Sequence, residues 1–158
     1  HPQVVFCSGV THLSPSLTLF DNVHGKCCYP PANRRLFGPD SHLQDAFSHE
    51  QHLLIQENNL SVLFAGCAHA GIVNIIDRAT DLIGHAPSVV VAGWHIMNSG
   101  LGPKEDQIYL TRLAHELNRY PNTVFYTMHC TGIDAFRYLQ PLLPNQLFYI
   151  DCGNRVKI

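Results

Sequence analysis

The stretch Leu60-Ser-Val-Leu-Phe-Ala-Gly-Cys-Ala-His69 runs directly into Ala70-Gly-Ile-Val-Asn-Ile-Ile-Asp-Arg-Ala-Thr-Asp-Leu-Ile83. Its first part is apolar, short and bounded by turn residues, which reads as a buried strand. Beyond Gly71, Ile72, Ile75, Ile76, Ala79 and Ile83 recur at helical spacing and predict an amphipathic helix over about 70–83, closed by Gly84 and Pro87. A buried strand that turns at a glycine-rich corner into a helix is the repeating unit of a layered α/β fold. A histidine stands at that corner.

The pattern recurs twice. Ser88-Val-Val-Val-Ala-Gly-Trp-His95 and Asn122-Thr-Val-Phe-Tyr-Thr-Met-His129 are again apolar runs ending on histidine, each with a helical pattern downstream. In open α/β sheets ligands bind beyond the carboxyl ends of the strands, so three imidazoles are expected along one sheet edge. A lone strand-end histidine is as well explained by a ring bonded to backbone in the core. Three in equivalent places favour a metal site, histidine being the commonest metal ligand. His69, His95 and His129 are the candidate ligands, and His95 is also the candidate catalytic group. Imidazoles suit zinc, iron and manganese alike, and a divalent ion so held lowers the pKa of bound water to about 7 and polarises a carbonyl or phosphoryl oxygen.

Around them lie candidate substrate contacts. Gly66 and Gly71 permit tight backbone and close approach of a ligand. The helix start beside His69 suits an anion such as phosphate. Cys67 shares a side with His69 only if the strand stays extended; otherwise it belongs behind the ligands or in the core. Trp94 either walls the pocket or fills the core. Thr131, followed by Gly132, either caps the third helix or bonds a substrate oxygen.

Outward from these motifs the order from about residue 50 reads ββαβαβαβ. Apolar runs at 52–56 and 60–65 are linked by Glu57-Asn58-Asn59, a hairpin turn because Asn tolerates positive φ. Helices follow at about 104–119 and from Gly132 to Pro141, with strands at 123–127 and 146–150. Upstream, residues 3–7 are a short apolar stretch read as a strand. Residues 8–40 are irregular except for a brief strand at 17–20. A loop so long in a small domain is usually functional or propped by something else; its Arg34-Arg35 pair is either solvated or a contact for an anion.

A chain of 158 residues fits one domain with one core. The net charge of -2 argues against broad binding to nucleic acid or anionic membranes, and no apolar run reaches membrane-spanning length. The six cysteines form no C-x-x-C pair. Four lie in or beside predicted strands, where a free thiol acts as a small hydrophobe, so the protein is expected to be reduced and cytoplasmic. For the adjacent Cys27-Cys28, metal binding, redox chemistry and a plain loop role all stay open.

Four motifs in order resemble the C-terminal half of a metallo-β-lactamase-fold protein, in the branch labelled dihydropterin (ribofuranosyl)aminobenzene phosphate synthase-like. They are Glu50-Gln51 before an apolar strand, Gly66-Cys67-Ala68-His69-Ala70-Gly71-Ile72-Val73-Asn74, Ala92-Gly93-Trp94-His95-Ile96 and His129-Cys130-Thr131-Gly132. Ala68 replaces a usual Ser, and Ala92 a usual Gly. The resemblance covers about 45–153. It implies half of an αββα sandwich over 45–158, preceded by an irregular segment 1–44, and a site of up to two ions in the complete fold. His69 and His129 match ligands of the family, while His95 stands where many relatives place a bridging Asp. The family's H-x-H-x-D-H motif is absent. The resemblance therefore implies a fragment, a split subunit or a shortened chain, with an exposed sheet face and an N-terminal half or a second copy as partner.

Two functions of different class follow. One is a metal-dependent hydrolase in which metal-bound hydroxide attacks an ester or phosphoester of a small molecule. The other is a non-catalytic half-domain acting as a binding or assembly module. A preceding segment or partner carrying H-x-H-x-D-H separates them. A nucleotide-binding α/β domain lacks both G-x-G-x-x-G and a P-loop.

Overall fold

The computed structural model describes residues 3–39 and 42–158; the start of the segment 1–44 and the end of the irregular stretch 8–40 lie outside these. Seven strands form one mixed sheet in chain order: β1 (Val10–Ser14), β2 (Leu17–Phe20), β3 (His52–Glu57), β4 (Leu60–Ala65), β5 (Val89–Ala92), β6 (Val124–Thr127) and β7 (Leu147–Tyr149). The first four pair antiparallel and the last four parallel. From β3 onward the order is the expected ββαβαβαβ, a mixed α/β fold. The β3–β4 hairpin turns at Asn58 and Asn59, with φ of 50° and 65°, as a two-residue turn matched to strand twist requires.

Parallel neighbours need crossovers, and these are helices: α1 (Ile72–Ile83), α2 (Pro103–Leu117) and α3 (Ile133–Leu139). Each connection moves one strand along, so right-handed crossing lays all three helices on one face. That face holds the core. Leu54, Leu63, Val90, Phe125 and Leu147 point into it from the strands, and Ile75, Ile76, Leu113, Leu117 and Leu139 meet them from the helices. Alternation sends Leu53, Ile55, Phe64, Val91, Tyr126 and Phe148 to the opposite face. Among the described residues no helix or further strand covers that face, the C-terminal Ile158 reaches Ile55 and Val62 at one end of it, and Phe64 and Phe148 remain 39% and 42% exposed.

Two sequence expectations shift. Residues 3–7 form no strand; the edge strand is Val10–Ser14 instead. Its alternation is broken by a register shift between His12 and Ser14, which hides the period from the sequence. The first helix begins at Ile72 rather than Ala70, because Gly71 takes φ +90°.

Candidate metal centre

The carboxyl ends of β4, β5 and β6 lie side by side, and the three loops leaving them are tied together. Gly93 N–H donates to the Gly66 carbonyl (2.8 Å), and Ile96 and Met97 N–H both donate to the Cys130 carbonyl (3.0 and 2.9 Å). Two or three residues past each strand a non-glycine residue adopts left-handed backbone: Ala68 (φ 55°), His95 (φ 46°) and His129 (φ 49°). Each such residue costs about 1–3 kcal/mol, and strain of this kind gathers at functional sites. Here it falls on all three candidate corners.

His69 is fixed from every side. Its N–H and that of Ala70 donate to the two carboxylate oxygens of Glu50 (2.8 and 3.0 Å). Asn33 donates its amide to the His69 carbonyl (2.7 Å), which points Asn33 Oδ1 at His69 Nδ1 (3.0 Å). Oδ1 only accepts, so Nδ1 carries the proton and the Nε2 lone pair is free; an outer partner sets metal-binding histidines in this way. Phe47 stacks on the ring at 4.4 Å, nearly parallel. The His95 ring lies on it at 4.1 Å, tilted by 52°. Burial, then His49, pushes His69 below the usual histidine range. Burial, then His69, does the same to His95. Both rings are therefore neutral lone-pair donors.

His129 does not share a ring contact with this pair. It is exposed, and a ring nitrogen of His129 lies within 4.8 Å of the sulfurs of Cys67 and Cys130, which lie equally close to one another. The strand β4 has already ended at Ala65, and the left-handed Ala68 lies between Cys67 and His69. Burial pushes the Cys130 thiol up to about 12. Imidazole and thiol donors fit a borderline-soft divalent cation.

The other candidates are placed as follows. Trp94 is 1% exposed and packs edge-on against Phe125 at 6.2 Å, inside the core. Thr131 is fully buried; its hydroxyl accepts from Trp94 N–H (2.9 Å) and bonds Thr127, which ties the ends of β5 and β6 together. No side chain caps α3. Gly71 lies against Cys27, whose carbonyl a Cβ there would meet at 3.2 Å. Gly66 is exposed and supplies the carbonyl that Gly93 bonds. Gly132 and Thr131 border a cavity of about 610 Å³, which also involves Arg35, Met97, Asp106 and Tyr138.

The sequence alone did not single out Asn33 or Phe47, and Cys130 appeared in it only within the His129-Cys130-Thr131-Gly132 motif. Asn33 comes from the irregular segment, whose unusual length was the only signal, and Phe47 follows it just before Glu50. Glu50 had appeared only within a motif. Among the described residues no helix is long and apolar enough to cross a membrane.

No family model and no curated protein matches the sequence. The fold is similar to the crystal structure of Tm1679, a metal-dependent hydrolase of the β-lactamase superfamily. The TM-score is 0.72 at 17% identity, over 97% of this chain and 57% of that one. The chain thus spans little more than half the length of the structure it matches.

Proposed function

We propose that this chain is part of a metal-dependent hydrolase of the β-lactamase superfamily acting on an ester or phosphoester of a small molecule. The resembling motifs further support the dihydropterin (ribofuranosyl)aminobenzene phosphate synthase-like branch, and the cysteine pattern supports a reduced, cytoplasmic setting. The observation that carries this reading is the left-handed corner beyond three adjacent parallel strands, with a neutral, Asn33-oriented His69 against His95. His69 and His129 would hold a divalent metal, zinc foremost with iron and manganese as alternatives, and His95 would serve as a further ligand or touch the substrate. When bound, the metal would acidify water and polarise the scissile group. Glu50 and Asn33 hold the His69 loop, Phe47 shields one ring face from water, and the cavity beside Gly132 offers Arg35 to an anionic substituent.

The fold and its open face support a complete site shared with a second layer, either an N-terminal half bearing H-x-H-x-D-H or another chain. Exposed apolar area of this kind marks an interface. A pure assembly module is the second reading, favoured by that same face.

Elemental analysis of the purified chain beside His69→Ala and His129→Ala tests the metal centre. Metal content that falls in both variants relative to the unsubstituted chain supports it and justifies a screen of phosphoesters and lactones on the assembled protein. A chain that takes up no zinc, iron or manganese leaves the module reading.

A further inference from the structure

We infer that Cys67, Cys130 and His129 form a thiolate-rich site for a borderline-soft divalent cation, zinc foremost, whose three protein ligands all come from this chain. It goes beyond the proposed hydrolase and does not rest on it; the two share only His129. The three ligand atoms lie within 4.8 Å of one another. In a tetrahedral zinc site with Zn–S near 2.3 Å and Zn–N near 2.0 Å, such atoms are about 3.3–3.8 Å apart. With two sulfurs and one nitrogen the relevant separations are about 3.8 Å for S···S and about 3.5 Å for S···N, so each pair needs to close by at most about 1.0–1.3 Å, within the reach of a side-chain rotation.

The backbone is shaped for this cluster. Consecutive residues of a strand point to opposite faces, so His129 and Cys130 can serve one point only if the chain turns between them. It does, in a short 3-10 turn over His129–Thr131 that opens with φ +49° at His129. Cys67 arrives from the neighbouring loop, separated from His69 by the left-handed Ala68. Between the two loops sits Gly93. A Cβ there would stand 2.7 Å from the Cys130 sulfur and 3.3 Å from the Gly66 carbonyl, so glycine leaves the sulfur its room. The His95 N–H donates to that sulfur at 3.2 Å, the outer contact that steadies a ligating thiolate. Burial is graded, with Cys130 buried, Cys67 half-buried and His129 exposed. The site is thus closed towards the protein and open on one side, where solvent or a substrate atom would be the fourth ligand.

The test is titration of the reduced 158-residue chain with Co²⁺ alone, followed by Zn²⁺ in competition. One equivalent of Co²⁺ should give a thiolate-to-cobalt charge-transfer band in the near ultraviolet that Zn²⁺ removes. Loss of an outer partner costs about 10–100-fold in metal affinity, so Cys67→Ser and Cys130→Ser should each weaken binding by more than that, while His69→Ala retains the band. Cobalt bound without the band, or a band indifferent to both cysteine variants, overturns the inference. So does metal lost in His69→Ala but kept in both cysteine variants, an outcome that leaves the hydrolase centre standing. Because Cys130→Ser alters a buried residue, the unsubstituted chain gives an independent reading. Zn²⁺ should protect the half-buried Cys67 from iodoacetamide and leave the exposed Cys152 reactive, as mapped by mass spectrometry. Equal labelling of Cys67 with and without Zn²⁺ overturns the inference.

Discussion

Glu50 holds the His69 corner, and Glu50→Gln measures how firmly. The carboxylate accepts N–H bonds from His69 and Ala70 at 2.8 and 3.0 Å, and its side chain is only 10% exposed. A hydrogen bond to a charged group contributes about 1.5–3 kcal/mol. Glutamine keeps one acceptor oxygen but turns an NH₂ towards the other N–H, so one bond is lost and a donor faces a donor. The expected cost is about 2–4 kcal/mol. For a chain of this length each kcal/mol lowers Tm by about 2–4 °C, giving a fall of roughly 4–16 °C. Urea and thermal unfolding followed by the fluorescence of Trp94, the one tryptophan and buried, reports it directly. Glu57→Gln is the control: this residue is exposed at the end of β3 and should change stability by less than about 0.5 kcal/mol. If Glu50→Gln shifts the midpoint no more than the control does, the carboxylate does not clamp the corner and the argument for a held His69 loop fails.

Asn33→Ala should leave the fold intact but free the His69 ring, weakening metal uptake at His69 by about 10–100-fold, read by competition with a chromophoric chelator; unchanged affinity would remove Asn33 from the site. Gly93→Ala should destabilise by about 1–3 kcal/mol through overpacking against Cys130, measured by urea unfolding, and an alanine as stable as glycine would show that the sulfur moves freely. His52 is 1% exposed, contacts the Phe20 ring at 5.1 Å, and burial pushes it below the usual range against the opposing pull of Glu50 and Asp21. Its folded value is thus depressed while the unfolded ring titrates near 6.5. The stability it allows is complete above about pH 6.5 and is lost as pH falls below that value, by up to about 1.4 kcal/mol per pH unit. His52→Leu should flatten that acid slope in unfolding curves between about pH 5 and 7, and an unaltered slope would assign it to other groups.

Much of this was legible from residues 60 to 83 alone. The period changes from that of a strand to that of a helix at Gly66–Gly71, and this switch, repeated at His95 and His129, yields the parallel half of the sheet. Asn58-Asn59 marked the hairpin because the turn chemistry is local. The antiparallel edge was harder. The bulge in β1 erases alternation, and an edge strand is held by backbone pairing that leaves little trace in side-chain pattern.

Local chemistry also determined that three histidines end three strands, since strand, corner and residue are encoded in one short window. Which of them meet was decided only by the tertiary structure. In the folded chain His69 meets His95, while Cys67 comes near His129 and Cys130. The partners of His69 are likewise non-local: Asn33 lies 36 residues away and Glu50 lies 19 away. A sequence window carries the periodicity of hydrophobic burial; it does not carry the hydrogen bonds that a distant segment makes once the sheet has brought it close.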